Sequence, residues 1–400
     1  MSDQDWQNAL ASQGDLRELM APPPEERAAA GYGLTLAEIC QQPDTWIETA
    51  QLAAGMAGAF RKTLEASRWV IFTGSGSSQY ACECVHPAVQ AATGLPAFTL
   101  GGGWLLVGGR ASVPATRPGL VISLARSGDS PESCGVVKAF LDSEPEVRHW
   151  IVTCNAQGRL ATQFNGDARL QKLVLAPRTN DRSLAMTSSF TNLVLASLAL
   201  VIPLKADRFE HLACGLADAG RRILLNHTGT LATMARGGFR RTVYMGTGCR
   251  FGAARESALK MLEMTAGAVP TMAETYLGLR HGPMCLIDDR TLVVCFLSSG
   301  APARAYEADL ITELNRKELG ARKLIVGENI PRQLLGRNDT PLEIPGMADL
   351  GDANVPVLDV MVGQLLAFFR CLSEGLHPDL PSSGVINRVV NEFKIYQSNS

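Results

Sequence analysis

One local pattern occurs twice in this chain: a short apolar run followed at once by a turn of the form Gly-x-Gly. The first copy is the run 69–72 with the turn 74–76, and the second is the run 241–245 with the turn 246–248. Short apolar runs bounded by turn residues are typical of strands that are buried on both faces, as in a parallel sheet. The pattern therefore predicts two copies of one α/β unit.

Further apolar runs extend this duplication. Residues 119–124 and 149–153 follow in the first half, and residues 291–296 and 323–326 follow in the second. Strands that alternate with helical stretches predict a doubly wound parallel sheet, here one in each half. The predicted domains are a helical N-terminal lead-in over 1–50, a first α/β domain over 51–205, a second over 215–375 and a C-terminal tail over 376–400.

Composition excludes several classes of protein. Hydrophobic residues make up 46% of the 400 positions and charged residues 19%, which is typical of a globular chain with an ample core. The formal net charge of −2 provides no general attraction to nucleic acid or to a membrane surface. We find no apolar run of about 18 residues and no basic, apolar secretory signal at the acidic N-terminus, so we expect a cytoplasmic protein without a membrane span.

The ten cysteines are scattered through apolar stretches. The close pair Cys82 and Cys84 is separated by one residue, whereas a zinc knuckle normally has a longer spacer and a second matching pair. We therefore interpret the cysteines mostly as buried thiols and expect no metal site.

The Gly-x-Gly turns also raise the alternative of a dinucleotide site. Neither turn has a third glycine three residues further on, and the acidic residue expected after the next strand is not evident. A dinucleotide site is therefore the weaker interpretation, and we expect no cofactor.

Serines follow two strands of the first half. Ser77 and Ser78 come after the first strand, and Ser127 and Ser130 come after the second. Hydroxyls and free main-chain N–H groups at helix N-termini bind anions, and the carboxyl ends of neighbouring parallel strands form the usual ligand crevice. The pair of turns therefore indicates a phosphate site, although any one of these serines is equally explained as a helix cap. The corresponding turns of the second half, 246–252 and 298–302, are the weaker phosphate candidates.

A helical segment of the second half places three charged residues on one face. Glu256, Lys260 and Glu263 are spaced at i, i+4 and i+7. Spacing alone favours an exposed row of ion pairs, but the apolar residues around them indicate a helix with little exposed surface. His281 precedes Gly-Pro and is therefore expected in a turn, either as an ordinary surface residue or as a group that reaches a ligand.

Four motifs together resemble a known family. They are the turn 74–78, the turn 127–130, the Glu-Ser-Ala-Leu-Lys-x-x-Glu segment 256–263 and the Leu-Arg-His-Gly-Pro loop 279–283. In this combination they are similar to the tandem sugar-isomerase (SIS) domains that form the isomerase half of glucosamine-6-phosphate synthase. Segments 125–133, 180–191 and 381–388 resemble the branch of tagatose-6-phosphate ketose/aldose isomerases, also described as galactosamine-6-phosphate deaminases.

The resemblance covers about residues 35–396 and implies both a fold and a site. The fold is two flavodoxin-like three-layer α/β sandwiches in tandem, and the assembly is a homodimer with shared active sites. The substrate is a phosphorylated hexose or hexosamine. The residues matched in this way are Ser77, Ser78, Ser127 and Ser130 as phosphate contacts, Glu263 as the proton-transferring carboxylate, Lys260 as a nearby sugar-site lysine, and His281 as the ring-opening histidine contributed by the neighbouring subunit.

The chain departs from the synthase pattern at several positions. Arg126 replaces a glutamine in the phosphate turn and is retained as a candidate phosphate contact, and Ala125 replaces a serine. The stretch before His281 is shorter. The C-terminal lysine of the synthase has no clear equivalent, which leaves Arg388 and Lys394 as candidates.

The resemblance implies aldose–ketose chemistry, in which one carboxylate moves a proton between carbons 1 and 2. The N-terminal Met-Ser-Asp replaces the nucleophilic cysteine of a glutamine-hydrolysing domain, so we expect no internal source of ammonia. This expectation favours deamination of galactosamine 6-phosphate to tagatose 6-phosphate. Three alternatives stay open: plain tagatose-6-phosphate isomerisation, a fructosamine-6-phosphate deglycase, and a non-catalytic sugar-phosphate sensor, although residues 1–50 lack the basic recognition helix typical of such regulators.

Overall fold

The computed structural model describes residues 9–10, 12, 14–201, 206–382, 384–389 and 394–396. The chain forms two compact units, each named here after its strands. The β1–β5 unit comprises 44–181, 188–213 and 386–400, and the β6–β10 unit comprises 1–43, 182–187 and 214–385.

The strands and helices are numbered in chain order. The strands are β1 Val70–Gly74, β2 Ala97–Gly101, β3 Gly119–Ala125, β4 Val147–Thr153, β5 Leu170–Val174, β6 Arg241–Met245, β7 Thr271–Glu274, β8 Thr291–Phe296, β9 Arg322–Gly327 and β10 Thr340–Glu343. The helices are α1 Gly14–Met20, α2 Pro24–Ala29, α3 Gly33–Cys40, α4 Gln42–Glu65, α5 Ser77–Thr93, α6 Gly102–Gly108, α7 Pro131–Ser143, α8 Arg159–Thr162, α9 Ser188–Val201, α10 Ala206–Asn226, α11 Thr228–Ala235, α12 Cys249–Met264, α13 Tyr276–Leu279, α14 Ala301–Arg316, α15 Met347–Leu350 and α16 Pro356–Ser373.

The sheet of the β1–β5 unit is parallel throughout and has the order β2-β1-β3-β4-β5. Every residue of β1 and β3 is buried, because helices cover both faces of the central strands. Trp69, Ile71 and Val121 pack with Val136 and Phe140 of α7 in one core layer. The strand order reverses between β1 and β3, and this switch point is where open α/β sheets usually bind ligands.

The β6–β10 unit repeats this architecture. Its parallel sheet has the order β10-β9-β8-β6-β7, which is the same topology read from the other edge. The central strands also share one register, because Thr73 lies opposite Ser123 and Met245 lies opposite Cys295. The predicted fold class, two doubly wound parallel sheets in tandem, is confirmed.

The units do not follow the consecutive boundaries predicted at 50, 205, 215 and 375. Helices α1–α3 of the lead-in belong to the β6–β10 unit. One reason is the Asp379 carboxylate, which accepts hydrogen bonds from the N–H groups of Leu34 (3.1 Å) and Thr35 (2.7 Å) and so fixes the start of α3. The tail divides between the units at residues 385 and 386.

Two features of the sequence have simple structural explanations. Helix α16 is long and apolar enough to span a membrane, but 83% of its apolar window is buried, so it serves as a core helix packed against α12. The interpretation of the cysteines as mostly buried thiols is confirmed, since eight of the ten are buried, Cys214 is half-buried and Cys285 is exposed.

Candidate active site

The turn after β1 presents Ser77 and Ser78 in the first helical turn of α5. Gly76 precedes them with a φ of 57°, a left-handed conformation that favours glycine. Gly74 is required for a different reason, because a Cβ there would lie 2.7 Å from the main chain of Ser78. Both serines are buried, and their main chain is held close to the end of the strand. The local sequence thus fixes two hydroxyls at a helix N-terminus.

The turn after β3 carries Ser127 and Ser130. The main chain reverses at Gly128, which has a φ of 69°. The Ser127 hydroxyl accepts a hydrogen bond from the N–H of Asp129 (3.3 Å), while the Asp129 carboxylate accepts from the N–H of Arg159 (2.9 Å) at the start of α8. The Ser130 hydroxyl donates to Glu132 Oε2 at 2.5 Å, so it would have to turn to bind a phosphate.

The sheet brings these two turns together. Strands β1 and β3 are parallel neighbours, so both turns leave the same edge of the sheet, at the switch point of the strand order. Two helix N-termini, those of α5 and α7, begin at these turns, and each adds N–H groups and a favourable dipole for an anion. The arrangement fits a phosphate group.

Basic residues lie beside the second turn. Arg126 is buried, and its Nη2 donates to the main-chain oxygen of Arg388 at 3.3 Å. The Arg388 guanidinium in turn donates to Asn180 Oδ1 at 2.6 Å and to the main-chain oxygen of Asp181. Arg388 therefore anchors its own segment, 386–389, to the loop 180–181 of the same unit. Lys394 is exposed, with its ammonium 5.2 Å from the centre of the Tyr396 ring.

The charged face of the second half lies on α12. The Lys260 ammonium is 3.3 Å from Glu256 Oε1 and donates a hydrogen bond to Glu263 Oε2. The side chains of Glu256 and Lys260 are fully buried, whereas that of Glu263 is 22% exposed. These residues are therefore not a surface row of ion pairs. They form a mostly buried ion cluster in which the Glu263 carboxylate is the accessible member.

The electrostatics of this cluster keep Lys260 charged. Burial by itself lowers the pKa of Lys260, but the carboxylates of Glu256 and Glu263 outweigh burial and raise that pKa above its ordinary value. Lys260 is thus a permanent cation near neutral pH, able to stabilise negative charge but not to accept a proton.

His281 is exposed and lies in the turn after α13, as its position before Gly-Pro predicted. The turn is firmly built: Tyr276 is buried and donates its hydroxyl hydrogen to the Phe296 oxygen (3.0 Å), and the Thr275 hydroxyl caps the N–H of Gly278 (3.0 Å). The His281 N–H donates to the Gly278 oxygen at 3.0 Å. Among the described residues, no hydrogen bond or ion pair joins His281 to Glu263.

Some relevant residues were missed at the level of sequence. Asn180 and Asp181 accept hydrogen bonds from Arg388. They lie in the segment 180–191, which resembles the family branch, but sequence reasoning assigned neither of them a role. Glu256 was identified only by its spacing. Within the described ranges, no three His, Cys, Asp or Glu side chains are grouped so that they could hold a metal ion.

Known proteins show the same architecture over nearly the whole chain. D-galactosamine-6-phosphate deaminase AgaS from Escherichia coli is 34% identical over 384 residues, which cover 92% of this chain and 97% of that protein. The structure of tagatose-6-phosphate ketose/aldose isomerase from Escherichia coli matches with a TM-score of 0.81 and 30% identity, covering 92% of this chain and 97% of the other.

More distant similarity extends to the synthase. The C-terminal domain of glucosamine-fructose-6-phosphate aminotransferase from Francisella tularensis has a TM-score of 0.73 at 15% identity, covering 87% of this chain and 98% of that one, which shows a shared fold. No protein-family model matches the chain. The identity and coverage of the two Escherichia coli proteins establish the family. The chain belongs to the AgaS family of tandem SIS-domain sugar-phosphate deaminases and isomerases.

Proposed function

We propose that this enzyme converts galactosamine 6-phosphate and water to tagatose 6-phosphate and ammonia, with Glu263 as the group that moves the proton. The observation that carries the proposal is the α12 cluster, in which a buried cation holds a carboxylate that is itself 22% exposed. The AgaS relatives supply the substrate class. We expect the protein to act in the cytoplasm as a homodimer, as the resemblance to the synthase implies.

The β1–β5 unit would bind the phosphate on carbon 6. Ser77, Ser78 and Ser127 offer hydroxyls beside two helix N-termini, Arg126 adds a positive charge, and Ser130 would join by turning away from Glu132. Hydrogen bonds to a charged group contribute about 1.5–3 kcal/mol each, so a few of them suffice for a sugar phosphate.

The chemistry needs an open-chain sugar and one base. His281 would pass the proton that opens the ring. The Glu263 carboxylate then removes the proton from carbon 2, the electron pair moves toward the aldehyde oxygen, and reprotonation at carbon 1 leaves an imine at carbon 2. Water adds to that imine and ammonia leaves, which gives the ketose. Lys260 would stabilise the negative charge on oxygen during the transfer, and a positioned acid/base of this kind contributes about 10²–10⁴-fold.

Plain isomerisation of tagatose 6-phosphate is the second candidate, because a matched solved structure bears that name. Both reactions share the proton transfer and differ in the group on carbon 2, which is an imine that water hydrolyses in the deamination and a carbonyl or hydroxyl in the plain isomerisation. An assay that offers galactosamine, glucosamine and tagatose 6-phosphates separately, and measures ammonia and ketose or aldose release, distinguishes them. Ammonia from galactosamine 6-phosphate is expected. Turnover of tagatose 6-phosphate alone would favour the second reaction, and no turnover of any would refute both.

Two variants test the residue roles. Glu263→Gln should abolish turnover and leave phosphate binding intact, whereas Glu146→Gln, at an exposed position of the β1–β5 unit, should be neutral. Ser127→Ala should chiefly raise KM, with Ser143→Ala on the exposed end of α7 as its control. Full activity of Glu263→Gln would remove the central assignment.

A further inference from the structure

The shared topology gives the two helix N-termini of the phosphate turns counterparts in the other unit. Gly76 and Gly248 have almost the same main chain, with φ and ψ of 57° and −128° against 58° and −127°. Counting from these glycines, Ser78 corresponds to Arg250. The N-caps of the helices that follow β3 and β8, Ser130 and Gly300, also correspond, with φ and ψ of −57° and 124° against −72° and 134°. The β6–β10 unit therefore contains the main-chain frame of a second anion site, which consists of the turns 246–250 and 298–300.

In that frame the N–H groups of the second turn are bound to a carboxylate of the same chain. The N–H of Ser299 donates to Asp352 Oδ1 at 2.9 Å, and the N–H of Gly300 donates to Asp352 Oδ2 at 2.9 Å. Gly300 is the N-cap of α14, a 16-residue helix, so Asp352 also lies at the favourable end of its dipole. These are the contacts that an anionic ligand makes at a helix N-terminus.

The first turn of this frame supplies the matching cation. Arg250, in the place of Ser78, is fully buried and lies 3.6 Å from Asp352. It also forms a two-pronged pair with Asp359, through contacts of 2.7 Å each. Burial by itself lowers the pKa of Arg250, but the Asp359 carboxylate outweighs it and that pKa is raised, so the arginine stays charged. Asp352 is thus held both by main-chain N–H groups and by a buried guanidinium.

The corresponding turn of the β1–β5 unit is arranged differently. Among the described residues, no carboxylate accepts a hydrogen bond from the N–H of Asp129 or of the N-cap Ser130, and the Asp129 N–H donates to the Ser127 hydroxyl. The acidic residue of that turn, Asp129, is directed to the N–H of Arg159 instead. A carboxylate therefore accepts hydrogen bonds at the helix N-terminus of the β6–β10 unit, whereas the Asp129 carboxylate of the β1–β5 unit is directed away from the corresponding N-terminus.

We propose that the Asp352 carboxylate occupies, in the β6–β10 unit, the place that a phosphate group takes in the β1–β5 unit, and so restricts each chain to one sugar-phosphate site. The assignment rests on the proposed phosphate turn of Ser127. Asp352 is the residue that decides which of two helix N-termini, that of α7 or that of α14, accepts a phosphate group. Its removal exposes a second site for phosphate or a phosphate monoester, formed by the Ser299 and Gly300 N–H groups and Arg250.

The neighbouring residues indicate that Asp352 is placed for this contact. It lies in a tight turn in which the Asn354 N–H donates to the Gly351 oxygen at 2.9 Å, and Gly351 has a φ of 79°. The carboxylate of the buried Glu307 accepts one hydrogen bond from the Ser298 N–H (2.6 Å) and one from the Ser298 hydroxyl (2.7 Å). The Ser298–Glu307 contacts do not involve Asp352, so the turn keeps part of its support when Asp352 is replaced.

The test measures how many equivalents of inorganic phosphate each chain binds, by equilibrium dialysis. The wild-type chain should bind one equivalent and Asp352→Ala two. The second equivalent should persist in the Ser127→Ala/Asp352→Ala double variant. The control is Asp349→Ala, at an exposed position three residues before Asp352, and this variant should bind one equivalent. A folded Asp352→Ala chain that binds a single equivalent overturns the inference.

Two further outcomes are informative. If Asp352→Ala does not fold, its recovery is measured in sodium phosphate and in sodium chloride of equal ionic strength, where recovery specific to phosphate supports the inference and equal recovery overturns it. If Ser127→Ala leaves the first equivalent of the wild-type chain unchanged, the proposed phosphate turn has failed. The Asp352 proposal depends only on whether Asp352→Ala binds one more equivalent of phosphate than the wild-type chain.

Discussion

The buried histidine of β4 makes the stability of the β1–β5 unit depend on pH. His149 is 1% exposed, and neither ring nitrogen has a hydrogen-bond partner in the described structure. Burial is the main cause that lowers the pKa of His149 from 6.5 to about 4, and the nearby Arg169 lowers it further while Asp167 opposes the change. The native unit therefore holds this imidazole neutral through most of the mildly acidic range.

The sign and size of the effect follow from proton linkage. As the pH falls below about 6.5, the unfolded chain takes up a proton at His149, whereas the native chain takes one up only near pH 4. Stability that is fully present above pH 6.5 is therefore lost progressively as the pH falls toward 4. A difference of this size corresponds to about 3 kcal/mol when complete.

Urea unfolding followed by tryptophan fluorescence measures this loss. Four of the five tryptophans, Trp46, Trp69, Trp104 and Trp150, belong to the β1–β5 unit, so the signal reports mainly on that unit. Between about pH 7.5 and about pH 4.5, we expect the free energy of unfolding to fall further for the wild-type chain than for His149→Leu. The difference between the two falls should be most of the loss of about 3 kcal/mol. At the upper pH the variant should be at least as stable, since it buries no unpaired ring nitrogen.

His211→Leu is the matched control, because His211 is exposed on α10. Its pH dependence should follow that of the wild-type chain. Equal slopes for wild type and His149→Leu would refute the reasoning, as would a native-state titration of His149 near its ordinary pKa by NMR.

Other changes test the packing around the site. Lys260→Met leaves Glu256 buried without its cation, so we expect the β6–β10 unit to lose about 3–5 kcal/mol in urea unfolding followed by far-UV circular dichroism, which reports on both units, with activity lost even in the folded fraction. Gly363→Ala places a Cβ 2.2 Å from Ser257 Oγ, where α16 approaches α12, and should cost about 1–3 kcal/mol in the same measurement. Gly55→Ala on the open face of α4 should be neutral or stabilise by up to about 1 kcal/mol, and a loss as large as that of Gly363→Ala would contradict the packing argument.

The central strands were predictable from sequence because their residues are buried on both faces. β6 and β8 have the predicted bounds. β3 and β4 differ from the predicted runs by one or two residues at one end, and β1 and β9 differ by one or two residues at both ends. The strands β2, β5, β7 and β10 were not predicted. They are the four edge strands of the two sheets, and β10 even contains Pro341, which cannot donate to a ladder.

The candidate site was predictable only in part, for a related reason. Helical spacing placed Glu256, Lys260 and Glu263 on one face, but the burial of this helix depends partly on its packing against α16, about 100 residues further along the chain. The motif resemblance supplied the roles that spacing left open. The contact of Asp352 with Ser299 joins residues that are distant in sequence and follows no local pattern.

The distribution of the thiols has a practical consequence. A reagent that alkylates cysteine should modify the exposed Cys285 at once, and this residue lies four positions after His281, so substrate that orders the loop should slow its labelling. Cys82, Cys84 and Cys154 are buried in the β1–β5 unit, and Cys40, Cys295 and Cys371 in the β6–β10 unit. Pulsed alkylation read by mass spectrometry would therefore record, without any engineered probe, which of the two units opens first and whether a bound sugar phosphate delays one of them.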